Sequence, residues 1–341
     1  MLNPSSTVAL ESSFLSAATL VLIGSILVGS ILGHLAPDAG LQLGMLVDYT
    51  LLVLVSLLFF GIRFESLKLA AGNWGFIAIA LLANFVIVPI LGYGIASLFI
   101  FDHPLLFVGL VIYFMAPCTD WFLGFTRLSG GNVALGSTLL PINMILQLVL
   151  YPLYLQLFTH QIVETNVALI GISMLQWFMI PLAIAFLFHQ ISRMLLKPSA
   201  FENLLQRADK TIPWLIGLLV LEIFAANVHI ILLHYAVFAW MLIAVFIFFL
   251  FTFLLSEGLT YLFRLPYAER ALLTMTLAAR NAPLMLVVSM TSLPGQPLIY
   301  AALIIGMLLE LPHLTVLQRL LLITQKRYQH RNVPGNLPKL Y

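Results

Sequence analysis

The sequence is poor in charged residues and contains a single cysteine. Asp, Glu, Lys and Arg make up 8% of the chain, whereas soluble domains carry about 25%. This is too little charge to cover a water-facing surface, so the composition excludes an ordinary soluble domain. Because Cys118 is alone, no disulfide can form within the chain. The first basic residue is Arg63, so the first apolar run lacks the basic start of a signal peptide and is expected to be a retained span.

Catalytic signatures are also missing. The sequence shows no Ser/His/Asp set, no metal-ligand cluster, no P-loop and no Gly-rich nucleotide-binding fingerprint. An enzyme, an ATP-driven pump and a bound cofactor are therefore not expected. The formal net charge of +2 is too small to predict a nucleic-acid partner.

Long hydrophobic runs dominate the chain, since 62% of its residues are hydrophobic. A helix needs about 20 apolar residues to cross the hydrocarbon core of a bilayer. Runs of that length recur with brief polar interruptions and predict an all-α polytopic membrane protein with ten transmembrane helices. The predicted spans are 14–34, 44–62, 74–100, 104–127, 133–158, 166–189, 211–232, 236–262, 269–291 and 297–324.

The positions of the basic residues test this division into spans. Lys and Arg collect in cytoplasmic loops, and ten spans with the N-terminus inside leave the opposite loops without any of them. Arg280 lies deep within span 9, and Arg319 lies in the last turns of span 10. We therefore predict a multi-pass plasma (inner) membrane protein with both termini cytoplasmic. The cytoplasmic basic residues are Arg63, Lys68, Arg127, Arg193, Lys197, Arg207, Lys210, Arg264, Arg270, Lys326, Arg327, Arg331 and Lys339.

The longest polar connection, residues 190–210, divides the spans into five and five. An odd number of spans per half inverts one half relative to the other, as in inverted-repeat transporters. We predict a first five-span repeat at 1–189, a cytoplasmic connection at 190–210, the remaining spans of the second repeat at 211–324 and a cytoplasmic tail at 325–341. The second repeat begins near residue 166 if span 6 is counted with it. Chance similarity between the halves is the alternative, since prolines are common in spans.

Two spans contain a helix-breaking proline at matching positions of the two halves, Pro117 in span 4 and Pro283 in span 9. Proline removes a backbone donor and frees a carbonyl one turn earlier. In a bilayer such a break persists only where protein packs around it or where it lines a cavity. Broken helices at corresponding positions therefore predict a binding site near the membrane midplane.

Three charged residues lie deep in apolar sequence, namely Asp120, Arg280 and Glu310. Each costs about 2.5–3.5 kcal/mol at a helix centre on insertion scales, so such residues usually face a cavity or pair with one another. Arg280 has two candidate partners, the two acids. One interpretation is an ion pair that only fixes helix packing. The other is that one acid titrates or binds a cation while Arg280 attracts an anionic or polar substrate.

Neutral polar side chains accompany these charges. Asn143 and Gln147 are four residues apart and share a helix face. With Asn281 they can offer oxygens to a cation or hydrogen bonds to a neutral solute, and hydrogen bonding between helices is the alternative. Three further acids are expected nearer the interfaces: Glu222, Asp48 and Glu257.

Cys118 directly follows the break in span 4. A lone buried cysteine is usually a small hydrophobic residue. Thiolate sulfur nevertheless prefers soft electrophiles, and trivalent arsenic and antimony are of that kind. Cys118 is therefore a candidate metalloid ligand.

The motifs around both breaks resemble a known family. Ala-Pro-Cys-Thr-Asp-Trp at 116–121 and Leu-Pro-Ile-Asn at 140–143 resemble the bacterial arsenic-resistance (arsenite efflux) permeases. These permeases belong to the bile acid/arsenite/riboflavin transporter superfamily. Ala-Arg-Asn-Ala-Pro at 279–283 and Leu-Glu-Leu-Pro at 309–312 resemble its second-half motifs, and Phe-Phe-Gly-Ile-Arg-Phe at 59–64 resembles the end of its second span.

The resemblance implies a bile acid:sodium symporter-like fold with ten helices in two inverted five-helix repeats and with broken helices 4 and 9 crossing. It implies a secondary transporter that exports arsenite or antimonite by proton antiport and so confers arsenical resistance. In that family Cys118 and Glu310 match the expected functional groups. The residues expected to line the substrate and ion path are Cys118, Thr119, Asp120, Arg280, Asn281, Glu310, Asn143 and Gln147.

Two positions depart from the relatives. Arsenite exporters carry Arg directly before the cysteine, where this chain has Pro117. The sodium-coupled bile-acid branch has a Glu and a Gln near the span-9 break, where this chain has Thr276 and Arg280. A cationic Arg280 repels sodium at that place, so a proton is the expected coupling ion. The alternative function is a sodium-coupled symporter of a bile-acid-like or small organic anion. The natural substrate, the direction of transport and the oligomeric state stay open.

Overall fold

The computed structural model describes residues 4–61, 73–119, 121–159, 162, 181 and 183–331. Within these residues the secondary structure is helical, and the one β-type contact is an isolated bridge between Pro117 and Arg280. Asp120 and most of the predicted span 166–189 lie outside the described residues.

The helices follow the predicted spans, with two of those spans divided. Predicted span 4 consists of α5 and α6, and predicted span 9 consists of α11 and α12. In chain order the helices are α1 (Pro4–Leu35), α2 (Pro37–Gly44), α3 (Val47–Phe60), α4 (Trp74–Ile100), α5 (Pro104–Met115), α6 (Trp121–Leu128), α7 (Val133–Thr159), α8 (Ala183–Leu195), α9 (Pro198–Leu232), α10 (Tyr235–Phe263), α11 (Tyr267–Ala278), α12 (Ala282–Ser292) and α13 (Pro297–Arg331).

The lengths of these helices are those of a membrane protein. Among the described residues, α4, α7, α9, α10 and α13 are each long and apolar enough to cross a bilayer. The pair α2 and α3, bent by 42°, makes a sixth such element, and shorter apolar helices accompany them. The structure thus shows a polytopic helical membrane protein. The count of ten spans and the inverted repeats stay predictions.

The helices pack in two groups, which meet where α1 and α9 contact α13. In the first group, α1, α2 and α3 pack on α9. The contact between α1 and α9 depends on small residues, since a Cβ atom added to Gly33 would collide with the carbonyl oxygen of Ala225. In the second group, α13 packs on α5, α10, α11 and α12, and α10 also packs on α4 and α11. We call the end of the bundle that carries Arg127, Arg264 and Arg270 the basic end.

One turn of α4, from Ala83 to Ile87, is a π-helix. Pro89 lies two residues after this turn and has no N–H to donate to the carbonyl of Phe85, four residues earlier. The hydroxyl of Tyr154 on α7 donates to that carbonyl instead, at 2.6 Å. Turns of this kind re-aim side chains and are frequent at functional sites. Here the turn places Asn84 in the interior, where it is fully buried.

Candidate functional site

The breaks in predicted spans 4 and 9 meet inside the bundle. The backbone N–H of Cys118 donates to the carbonyl of Ala279 at 3.0 Å, and the N–H of Asn281 donates to the carbonyl of Ala116 at 2.9 Å. Both segments are extended at the break, as expected for a residue that precedes a proline such as Pro117. Each interrupted helix thus provides hydrogen-bond partners for the free backbone groups of the other, as the interior of a bilayer requires.

The guanidinium group of Arg280 lies where two helices end. Its Nη1 donates to the carbonyl of Phe114 at 3.1 Å, near the end of α5. Its Nη2 donates to the carbonyls of Thr276 at 3.0 Å and Leu277 at 2.7 Å, near the end of α11. The last carbonyls of a helix are unpaired and carry partial negative charge. Arg280, which is 0% exposed, therefore neutralises the ends of both half-helices.

A fourth oxygen completes this environment. Nη2 of Arg280 also donates to Oδ1 of Asn84 at 3.2 Å, and Nδ2 of Asn84 donates to Oγ1 of Thr276 at 3.2 Å. The ring of Phe248 on α10 lies 5.6 Å from the guanidinium carbon, which is within cation–π range. We call the four acceptors, from Asn84, Phe114, Thr276 and Leu277, the oxygen cage.

Glu310 on α13 lies at the same crossing. Its Oε1 accepts from the backbone N–H of Arg280 at 3.1 Å, and its Oε2 accepts from the hydroxyl of Tyr113 at 3.4 Å. The phenol ring reaches this point because Gly306 has no side chain: a Cβ there would lie 2.8 Å from the ring of Tyr113. Glu310, one of the two partners predicted for Arg280, thus contacts the backbone N–H of Arg280. The other predicted partner, Asp120, lies outside the described residues.

Glu310 also borders a cleft between the two helix groups. The cleft is narrow, with a volume of about 10 Å³, which is room for about one water molecule. Its walls come from α1 and α9 on one side and from α12 and α13 on the other. The lining residues are Leu22, Pro213, Ile216, Pro283, Met307, Glu310 and Leu311. Glu310 is thus a buried carboxylate, 3% exposed, at the boundary between the groups.

Thr119, Asn281 and Cys118 form the remainder of the crossing. Nδ2 of Asn281 donates to Oγ1 of Thr119 at 2.9 Å. Oδ1 of Asn281 accepts from the N–H of Leu284 at 3.3 Å and so caps α12. The thiol of Cys118 is fully buried and lies within electrostatic range of Tyr113 and Arg280.

Asn143 and Gln147 on α7 are buried, at 0% and 2% exposure. In the part of the chain that the structure describes, neither carboxamide has a hydrogen-bond partner on its nitrogen or its oxygen. One turn further, the hydroxyl of Tyr151 hydrogen-bonds Ser292 at 3.0 Å on α12. Hydrogen bonding between helices, one of the two interpretations of Asn143 and Gln147, is therefore not what the structure shows. Unpaired buried amides need a polar solute or water.

The structure adds one contact and two residues to what the sequence predicts. Glu222 is 1% exposed within the first helix group, and its position near a membrane interface stays a prediction. Its Oε1 accepts from the hydroxyl of Thr50 at 2.9 Å. Hydropathy cannot detect this contact, because it depends on which faces of α3 and α9 meet. Asn84 and Tyr113 were not predicted as site residues, although a polar residue within a long apolar span is a signal that could have found them.

Across the described residues, no group of three His, Cys, Asp or Glu side chains is arranged to hold a metal ion. No curated protein matched the sequence in a similarity search. A family model described as the Sodium Bile acid symporter family matches residues 49–258, which is more than half of the chain. Together with its many apolar helices, this match shows that the chain belongs to the sodium bile acid symporter family, whose members are transporters and not enzymes.

Proposed function

We propose that the protein is a secondary transporter that exports an arsenite- or antimonite-type metalloid in exchange for protons. The observation that carries this proposal is the guanidinium of Arg280 in the oxygen cage. Helix-end carbonyls in broken membrane helices are the groups that bind coupling cations such as sodium. Here a fixed cation already uses them, so sodium has no role at this place and the coupling ion is a proton.

Glu310 is the proposed proton carrier. Its carboxylate receives hydrogen bonds from the backbone of Arg280 and from Tyr113, which hold it at the crossing. It borders the cleft that separates the two helix groups. A relative movement of the groups would therefore change its access to solvent, as alternating access requires.

Cys118 and the two amides of α7 are the proposed substrate-binding groups. Arsenous acid is uncharged at neutral pH and carries three hydroxyl groups, which suits the unpaired donors and acceptors of Asn143 and Gln147. The thiol of Cys118 is a soft ligand for trivalent arsenic. A sulfur–arsenic bond would form as one arsenic–oxygen bond breaks, and the thiol proton leaves with the displaced hydroxyl as water.

The alternative function is a sodium-coupled symporter of a bile-acid-like or small organic anion, which the match to the family model favours. In that case Arg280 would hold the substrate carboxylate. Its guanidinium is fully buried and donates to four neutral oxygens. Its Nε has no hydrogen-bond partner among the described residues and could donate to a carboxylate. A bidentate pair would also need a terminal nitrogen to leave at least one of these oxygens, which costs free energy for each acceptor left unpaired.

We further propose that the basic end faces the cytoplasm of a plasma (inner) membrane, with both termini inside. The described residues at that end include Arg127, Arg264 and Arg270, and Lys and Arg are retained on the cytoplasmic side. The partners of the chain are then the lipid bilayer and one small-molecule substrate. The division into repeats at 1–189 and 211–324, joined by 190–210, is part of this proposal.

The test is arsenite uptake into everted membrane vesicles under an imposed pH gradient, with and without sodium. The wild type is compared with Cys118→Ser and with Met115→Leu. Met115 is a buried sulfur-containing residue near the same break and serves as the matched control. We expect uptake that needs the pH gradient, ignores sodium, disappears in Cys118→Ser and persists in Met115→Leu.

Other results would decide against the proposal. If vesicles that contain the folded protein take up no arsenite, the proposal is overturned. Sodium-dependent uptake of an organic anion that tolerates Cys118→Ser would establish the alternative.

A further inference from the structure

His313 on α13 is a half-buried ionisable group for which the proposed transport cycle has no role so far. Its imidazole ring stacks on the ring of Phe249, with centroids 4.2 Å apart and planes inclined by 6°. Its Nε2 atom is buried and, among the described residues, has no hydrogen-bond partner. Ionisable residues within membrane spans usually serve transport or proton transfer, so an unpaired ring nitrogen requires an explanation.

The position of His313 relates it to Glu310. The two residues are three apart on α13, which places them on the same side of the helix. Pro312 lies between them and cannot donate to the carbonyl of Leu308. The carbonyl oxygen of Leu308 is therefore left as a free hydrogen-bond acceptor within the helix, close to Glu310 and His313.

Phe249, on which His313 stacks, is followed along α10 by hydroxyl-bearing residues in the direction of the basic end. Starting from Phe249, the residues Thr252, Ser256 and Thr260 recur at helical spacing on α10 and share one face. Ser256 hydrogen-bonds Thr274 of α11 at 2.7 Å. Helices α10, α11 and α13 all pack against one another, so this row lies at their common interface.

The row ends in charged groups. Thr274 donates to the backbone carbonyl of Arg270 at 2.9 Å. The guanidinium of Arg270 binds both carboxylate oxygens of Glu257, at 2.8 and 2.9 Å, and contacts Thr324 of α13 at 3.4 Å. Glu257 is 34% exposed and thus reaches solvent at the basic end. We call Thr252, Ser256, Thr260, Thr274, Arg270 and Glu257 the polar seam.

The ionisable groups around His313 are few. On α13 the nearest along the chain is Glu310, and α10 contributes Glu257. From α11 come Arg270 and, just past its end, Arg280. From α5 comes Tyr113, which donates to Glu310. On the walls of the cleft, α1, α9 and α12 place Leu22, Pro213, Ile216 and Pro283, none of which titrates.

Two further polar side chains on these helices have other partners. Glu222 of α9 accepts a hydrogen bond from Thr50, and Gln318 of α13 donates to the carbonyl of Leu128 on α6.

We propose that His313 is a proton relay between Glu310 and the polar seam. The Glu310 carboxyl gives its proton to one ring nitrogen, and the other ring nitrogen releases a proton toward the seam, so that the ring ends neutral. Reversal of these steps protonates Glu310 from the basic end. The proposal rests on the role of Glu310 as proton carrier in the proposed function, and it assigns the route by which that proton travels.

The test measures proton transfer to Glu310 without any substrate. Purified full-length protein in lipid membranes is subjected to a pH jump, and the infrared carbonyl band of the Glu310 carboxyl is followed in time. Glu310→Gln identifies the band. The variant His313→Phe keeps an aromatic ring against Phe249 and removes the ionisable nitrogens, and His34→Phe, whose ring contacts His229, is the matched control.

In His313→Phe we expect the carbonyl band to respond at least about tenfold more slowly than in the wild type, which corresponds to about 1.4 kcal/mol in the barrier. In His34→Phe we expect the wild-type rate. An unchanged rate in His313→Phe would overturn the relay. If His313→Phe does not fold, His313→Gln gives the same comparison. Arsenite exchange by the wild type is measured in parallel, so a failure of the proposed substrate is recognised separately from a failure of the relay.

Discussion

Arg280 contacts Glu310 through its backbone N–H, at 3.1 Å, while its guanidinium donates to four neutral oxygens. The two functions of the residue are thus separated. The charge neutralises the ends of two half-helices, and the amide positions the carboxylate. The charges of the two side chains also interact electrostatically.

The variant Arg280→Gln removes the fixed cation from the oxygen cage. We expect the purified variant to be destabilised and to regain stability when sodium chloride replaces choline chloride, because sodium can use the vacated acceptors. Saturation at about 100 times the dissociation constant would restore about 2.7 kcal/mol. Thermal unfolding in the two salts measures this effect, and the wild type is expected to show no sodium response.

Arg270→Gln is the control, since Arg270 binds Glu257 at the basic end and not the cage. A sodium effect of equal size in this control, or none in Arg280→Gln, would contradict the cage interpretation.

The variant Glu310→Gln keeps an oxygen that can accept from the N–H of Arg280 but cannot release a proton. We expect arsenite transport driven by a pH gradient to fall about tenfold or more, which corresponds to about 1.4 kcal/mol. Exchange of arsenite for arsenite should persist, because it needs no net proton movement. Both are measured with labelled arsenite in proteoliposomes. Glu222→Gln, at a second buried glutamate among the described residues, should leave both rates unchanged; a parallel loss there would argue against a special role of Glu310.

Asn143→Leu and Gln147→Leu should separate stability from transport. Each variant removes a buried amide without a hydrogen-bond partner, so the penalty of about 1–3 kcal/mol for such a group is relieved and the unfolding temperature should rise or stay constant. Substrate transport should fall. Asn84→Leu is the control, since Asn84 is hydrogen-bonded to Arg280 and Thr276 and its loss should destabilise. Lower stability in the α7 variants would show that their amides are paired structurally.

Thr50→Val removes the donor to Glu222 and leaves that carboxylate without its partner. We expect a loss of stability of about 1–3 kcal/mol. A double-mutant cycle with Glu222→Leu, followed by thermal unfolding, should give a coupling energy near 0.6 kcal/mol, the average for hydrogen bonds between membrane helices. Additive effects of the two substitutions would show that the contact does not stabilise the first helix group.

Local chemistry explains what could be predicted of the fold. The length of an apolar run is set by the thickness of the bilayer, so helices such as α4, α7 and α10 follow directly from the sequence. A proline removes its N–H wherever it lies, so the breaks at Pro117 and Pro283 were also predictable. The matching positions of these breaks indicated that they belong to one site.

The sequence by itself determined that the chain is a helical membrane protein with charged and broken segments at one depth. The tertiary structure decided which group each of them meets: that Arg280 uses carbonyl oxygens and Asn84, that Glu222 lies buried against Thr50, and that the amides of Asn143 and Gln147 stay unpaired. The physical reason is that an apolar helix in lipid is hydrophobic on all sides. Its sequence therefore does not reveal which face meets protein and which meets lipid, and only packing between distant helices selects the partners.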